Sequence, residues 1–396
     1  MPVNNKQSFI LKEIASRWSF LFFVFLVAAC EPLPARVTFP EVQPSHVNGT
    51  ESPPNTRTPS RTPIKKTLAV FCAGSLLAPF HLLEKAYESK HPDVDISVEG
   101  YGSIQVIRHI TELRQQIDVA AIADEALIPL LMYTTQDPAT GKPYATWSIR
   151  FASNRLAVAY SPRSKFADQV SSENWYEILA QPGVRVGISD PRFDPAGYRS
   201  LMSLKLAEMH YRRPGILDSL IRDSFRPPIT VLEEDEHIEI SVPEILETMP
   251  GSNTVLRGSS VQLIALLESG DLDYAFEYES VIRQHGLSWI ELPDEINLGT
   301  AEMRHNYQKV QVKLDFQRYA TTKPVFKGEE IGYGITIPGN APSPELAADF
   351  IAFLLSPEGH ELMATSDLSL IQPLVCDRTM NMPANLSHLC PTTVQP

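Results

Sequence analysis

Two short turns hold the residue types best suited to chemistry. Ala73-Gly74-Ser75 and Gly102-Ser103 each follow a strand-like run and each open a run with helical spacing. At such a junction the first backbone N–H groups of the helix have no partner inside it and the dipole is positive. A tetrahedral oxyanion therefore finds donors there without a fixed cation. The Ser75 and Ser103 hydroxyls add to the donor set. Either serine alone also reads as an ordinary N-cap, and it is the pairing that points to an anion. The strand, turn, helix unit recurs a third time at Ser189-Asp190-Pro191-Arg192-Phe193-Asp194-Pro195-Ala196-Gly197.

Periodicity indicates the elements that must position these turns. Leu68-Ala69-Val70-Phe71 reads as a strand, and Leu76, Phe80, Leu83 and Tyr87 follow it at a spacing that suits period 3.6. Val94, Ile96 and Val98 alternate, whereas Ile104, Ile107 and Ile110 return to helical spacing. With a third strand at 117–122, the order from 66 to about 153 is strand and helix in alternation, the α/β signature. A strand over 154–160 is a candidate crossing into a second lobe. That lobe would hold a strand at 184–188 and a helix over 198–211. It continues with a solvated hairpin at Glu233-Glu234-Asp235-Glu236 and the alternating Ile238, Ile240 and Val242. A helix over 261–268 stops at Gly270, and Tyr274-Ala275-Phe276 leads as a strand into Glu277-Tyr278. The chain is expected to cross back over 332–337, and Ser343-Pro344 has the N-cap and N1 chemistry for a final amphipathic helix. Two crossings make a hinge with a cleft. The expected division is 66–154 with 336–396 as lobe I and 155–335 as lobe II, since about 330 residues exceed one ordinary core.

The N-terminal region points outside the cytoplasm. Lys6, Lys12 and Arg17 precede an apolar run over 20–29, which is shorter than the roughly 20 residues that span a bilayer and fits a signal peptide at 1–29. Its end, Leu26-Val27-Ala28-Ala29-Cys30, resembles a bacterial lipobox, which makes Cys30 the lipidation site; an ordinary cleavable signal is the alternative. Residues 30–65 are rich in Pro, Ser and Thr and read as a tether that cannot bury enough surface to fold. Cys376 and Cys390 are placed to close a small loop in an oxidising compartment, and Cys72 falls in the first strand. The formal net charge of −13 speaks against nucleic acid. It also means that an anionic ligand must be held by local dipoles.

In order, FCAGSLLAPF, GYGSIQVIRHITEL, IDVAAIADEALIPLLM, SDPRFDPAGYRS and LLESGDLDYAFEYESVIRQHGL resemble the extracytoplasmic molybdate/tungstate-binding proteins of ABC importers, most closely the tungstate-type branch. The resemblance implies a two-lobed, α/β periplasmic-binding fold of type II with two crossing hinge strands. It also implies a monomer that closes on one tungstate or molybdate, needs no other cofactor and delivers its ligand to a membrane permease. Carried over, the oxyanion donors match Ser75, Ser103, the N–H of Ala196 and the hydroxyl of Tyr278. Asp194 matches a carboxylate that contacts the metal of the oxyanion, and it reads equally as the N-cap before Pro195. A second carboxylate is expected where this chain has Gly258-Ser259-Ser260, so Ser260 offers a hydroxyl in its place. Alternation along the strand points Glu277 away from Tyr278, as a surface or hinge carboxylate.

Three other readings compete: a sulfate or phosphate carrier, a ligand sensor, and an enzyme with Ser75 as nucleophile and His81 or His109 as base. No Gly-x-Ser-x-Gly elbow surrounds Ser75, which leaves an enzyme disfavoured.

Overall fold

The computed structural model describes residues 65–234, 237–315 and 324–391. The expected signal peptide, Cys30 and the tether up to 64 lie outside the described residues, as do Asp235 and Glu236 at the tip of the expected hairpin.

β1 (Lys66–Ala73) lies between β2 (Val94–Tyr101) and β3 (Val119–Ile122), parallel to both. The helices that connect them are α1 (Leu77–Lys90), which buries Phe80, Leu83 and Tyr87, and α2 (Ser103–Thr111), which buries Ile104, Ile107 and Ile110. These are the apolar positions that the helical spacing picks out. β4 (Ser148–Ser153) and β5 (Leu156–Tyr160) are separated only by Asn154 and Arg155 yet belong to different sheets. The expected strand at 154–160 is therefore shorter, and the change of sheet occurs in the two residues before it.

Beyond β5 come β6 (Val186–Ser189) and the long α3 (Pro195–Tyr211). β7 (Thr230–Glu234) and β8 (His237–Pro243) pair antiparallel as the expected hairpin, with Ile240 and Val242 buried. β9 (Thr254–Arg257) leads to α4 (Val261–Ser269), which stops at Gly270 with φ 82°. β10 (Tyr274–Tyr278), β11 (Ser288–Ile290), β12 (Val310–Asp315), β13 (Val325–Lys327) and β14 (Gly332–Thr336) follow. α5 (Pro344–Leu354) and β15 (Leu370–Asp377) come after them.

The strands form a six-stranded sheet in the order β15-β4-β14-β3-β1-β2, a five-stranded sheet in the order β9-β6-β10-β5-β11, and a four-stranded sheet β13-β12-β8-β7. β14 pairs with β3 and β4 from Gly332 onward, so a boundary at 335/336 cuts through a strand of the six-stranded sheet. The chain returns to that sheet before Gly332. Ser343 precedes α5 as expected, but its side chain makes no cap bond, and its N–H donates to Asp118 at 2.7 Å. Cys376 and Cys390 form a disulfide, and Cys72 is a buried free thiol. Among the described residues no helix is long and apolar enough to cross a membrane.

Candidate functional site

The turn after β1 and the turn after β2 both rest on loops of the five-stranded sheet. A Cβ added to Gly74 would stand 2.7 Å from Ser259 Oγ, and one added to Gly102 would run into the Phe193 carbonyl oxygen. The Ile104 N–H, in the first turn of α2, donates to that same carbonyl at 3.0 Å. At Gly102 glycine is required because backbone approaches backbone with no room for a side chain, whereas at Gly74 a Cβ would press on the Ser259 and Val261 side chains. The third turn, 190–194, therefore meets the second one directly.

Neither Ser75 nor Ser103 caps its helix, contrary to the cap reading. Ser75 sits inside a short 3-10 turn, Gly74–Leu76, and the N-cap of α2 is Gly102. The Ser103 Oγ accepts the Ala123 N–H at 2.9 Å, and the Ser75 Oγ accepts the Tyr333 hydroxyl at 3.0 Å. Tyr333 accepts in turn from Asn154 Nδ2 at 3.0 Å. The Tyr278 hydroxyl accepts from Arg199 at 2.8 Å. Ser75, Ser103 and Tyr278 are all buried. Each of these hydroxyls has a lone pair occupied by a protein donor and retains its proton to offer.

Asp194 is the N-cap of α3, and both of its oxygens are occupied. One accepts the Ala196 N–H at 3.1 Å, and the other accepts the Ser260 N–H at 2.7 Å. The backbone N–H of Ala196, expected as a ligand donor, is thus committed to Asp194. Burial pushes the Asp194 carboxyl up to about 6, against the pull of the Ser260 and Ala196 N–H groups and of Arg199. The Ser260 hydroxyl, expected to face the ligand, donates instead to Glu277 at 2.9 Å.

Glu277 is not a surface or hinge carboxylate. It is fully buried, and so is every residue of β10, which lies between β6 and β5 in the middle of its sheet. A strand covered on both faces has no exposed side for alternation to select. Burial pushes the Glu277 carboxyl up to about 8, and nearby Asp194 adds to the rise.

Arg199 went unnoticed among the donors inferred from the sequence. It is 4 % exposed and projects from the second turn of α3. Its guanidinium donates to the Ala123 carbonyl as well as to Tyr278, and it pairs with Asp124 at 3.3 Å. Tyr198 donates to the same Asp124. Arg199 thus joins the five-stranded side, through Tyr278, to the segment after β3 that also holds Ser103. No local pattern in the sequence singles it out, because its partners Ala123, Asp124 and Tyr278 are distant along the chain.

The histidines of the enzyme reading have partners other than Ser75. His81 is bonded to Glu84 at 2.8 Å, and His109 is bonded to Gln115 at 2.7 Å and packs on Phe71 and Tyr101. Among the described residues no cluster of His, Cys, Asp and Glu could hold a metal ion.

This geometry is accompanied by a family match: the model for bacterial extracellular solute-binding proteins covers residues 68–366. The chain belongs to that family. An uncharacterised solute-binding protein of Methanoculleus marisnigri is 39% identical over 297 residues, 75% of this chain and 79% of the relative. The molybdate/tungstate-binding protein WtpA of Pyrococcus abyssi is 36% identical over 316 residues, 78% of this chain and 86% of the relative. Among solved structures, the periplasmic molybdate-binding protein of Azotobacter vinelandii is similar with a TM-score of 0.49 and 16% identity, over 77% of this chain and 100% of the other. The α/β class and the two main sheets of this solute-binding protein agree with the expected type II periplasmic-binding fold.

Proposed function

We propose that this solute-binding protein captures tungstate or molybdate between its two main sheets and delivers it to an ABC permease. The observation that carries the reading is the polarity of the hydroxyls. Ser75, Ser103 and Tyr278 each accept from the protein and keep a proton to give, a set that suits a ligand made only of acceptors. The relationship to WtpA supports the choice of ligand. In this reading Ser75 and Ser103 act from a lobe formed by 66–154 and the returning chain. Tyr278 and Asp194 act from a lobe that begins at 155. The protein works as a monomer without a further cofactor and is not an enzyme.

Titration of the full chain with tungstate, molybdate, sulfate and phosphate tests this directly. Tungstate or molybdate is expected to bind at least a hundredfold more tightly than sulfate, a difference of about 2.8 kcal/mol. Equal affinities for sulfate and tungstate are incompatible with the proposal.

The sequence Leu26-Val27-Ala28-Ala29-Cys30 after the apolar run supports an extracytoplasmic protein held to the membrane by lipid on Cys30. The mature protein is expected to partition into detergent, and Cys30→Ala to accumulate without lipid. A mature N-terminus elsewhere, with a free Cys30 thiol by mass spectrometry, is the contrary result.

A further inference from the structure

Glu277 has no part in the donor set described above, yet its carboxyl is wholly buried at the end of β10. One oxygen, Oε1, accepts the Tyr278 N–H at 2.7 Å and the Ser260 hydroxyl at 2.9 Å. The other, Oε2, is buried and has no hydrogen-bond partner. Such an atom calls for an explanation, because an unpaired carboxylate oxygen in the interior forfeits its solvation. Its neighbours narrow the choice. Ser260 gives its N–H to Asp194 and its O–H to Glu277, so a single serine holds two carboxyl groups side by side.

The titratable groups that face Glu277 are Asp194 at the start of α3, Tyr278 beside it in β10 and Tyr333 in β14. Arg199, the cation that acts on Asp194, Tyr278 and Tyr333, is already paired with Asp124. Arg199 is therefore not a free positive charge that could offset a second ionised carboxylate beside a dianion. Two adjacent carboxyls in a dry site share a proton in preference to both being charged.

We infer that Glu277 is a further ligand-contacting residue, which engages the oxyanion as a neutral acid by donating the hydrogen on Oε2 to one of its oxygens, so that capture at alkaline pH takes up a proton. This rests on the oxyanion reading above. No covalent bond forms, and the proton comes from solvent onto Oε2 whenever Glu277 starts ionised. The division of labour between the pair follows from their surroundings. Asp194 accepts two backbone N–H groups and feels Arg199, which hold it near 6 despite burial, so it stays ionised at neutral pH. Glu277 is raised to about 8 by burial, and Asp194 beside it adds to the rise. Around pH 7, where Asp194 is ionised, the free protein mostly carries the Glu277 proton and binding changes little with pH up to about 8. Above it the proton must be acquired on binding, and affinity falls toward about tenfold per pH unit.

The test is calorimetric titration of the full chain with tungstate between pH 7 and 9, in pairs of buffers of different ionisation enthalpy. For the wild type, proton uptake is expected to rise from near zero at pH 7 to about one per ligand at pH 9. Glu277→Gln keeps a hydrogen-bond donor without a titrating proton. It should bind tungstate at pH 7 within about tenfold of the wild type, with neither proton uptake nor pH slope. Ser260→Ala removes a bond that favours the ionised form, so uptake should begin at higher pH; this variant and the wild-type data decide the matter if Glu277→Gln fails to fold. Wild-type binding without proton uptake up to pH 9 overturns the inference, as does an unchanged slope in Glu277→Gln. Absence of binding by tungstate, molybdate, sulfate and phosphate alike overturns the oxyanion reading itself.

Discussion

Arg199→Met is expected to weaken tungstate binding by a hundredfold or more and to lower the unfolding midpoint at pH 7. The stability loss follows from what the guanidinium leaves behind. Asp124 keeps the Tyr198 hydroxyl but loses its buried cation at 3.3 Å, and the Ala123 carbonyl loses a donor. Breaking one side of a buried ion pair typically costs about 3–5 kcal/mol because the remaining charge is stranded. The binding loss has a second origin. Arg199 occupies a lone pair of the Tyr278 hydroxyl, and without it that hydroxyl is free to turn its proton toward a protein acceptor. About 2.8 kcal/mol suffices for the hundredfold.

Arg199→Lys separates the two effects. The ammonium keeps the charge but not the planar fork that reaches Asp124, Ala123 and Tyr278 together. Stability should recover in part while affinity stays low. Chemical denaturation and tungstate titration of the three proteins provide the comparison, and an Arg199→Met protein that binds within threefold of the wild type refutes this role.

Arg199 also shows where reading the chain by pattern stops. Local signals carried well: Leu68 to Phe71, the period-3.6 run to Tyr87 and the triple isoleucine of α2 reflect packing of each element against one sheet, which a short window captures. The turns at Gly74, Gly102 and 190–194 were legible for the same reason. What failed was long-range. Glu277 was assigned an exposed face because alternation presumes a half-buried strand, and β10 is central and covered on both sides. The partners of Ser75 and Ser103, Tyr333 and Ala123, come from β14 and from the segment after β3, which a local reading of either serine, as donor or as cap, does not supply. Ser260 read as a ligand hydroxyl because nothing near it in sequence announces that Asp194 and Glu277, 66 and 17 residues away, take its two protons. The crossing expected over 332–337 coincides with the strand Gly332 to Thr336, but the segment carries no mark in sequence of which sheet it joins.

Asp194→Asn should weaken tungstate selectively. A carboxylate that only capped α3 could give way to asparagine at little cost, since one side-chain oxygen remains. Here both oxygens accept backbone N–H groups, from Ala196 at 3.1 Å and from Ser260 at 2.7 Å. Whichever way the amide turns, its NH2 opposes one of those donors, and the free protein should lose about 1–3 kcal/mol for the unsatisfied group. That loss is the same for every ligand and cancels when ligands are compared. A purely structural Asp194 is a negative charge beside a dianion, and its removal should improve all oxyanions alike, by several kcal/mol at intermediate dielectric. A carboxylate oxygen bonded to the tungsten centre is attractive for tungstate and molybdate alone. The expected outcome is therefore a change of selectivity: tungstate at least tenfold weaker in Asp194→Asn, with sulfate unchanged or tighter. X-ray absorption at the tungsten edge gives the independent reading. Glu277 acts as a proton donor and Ser260 is engaged with the two carboxyls, so the wild type should show more than four but fewer than six oxygen neighbours, and the variant one fewer. Parallel gains for tungstate and sulfate in Asp194→Asn, with an unchanged oxygen shell, reduce Asp194 to a helix cap and a clamp on Ser260.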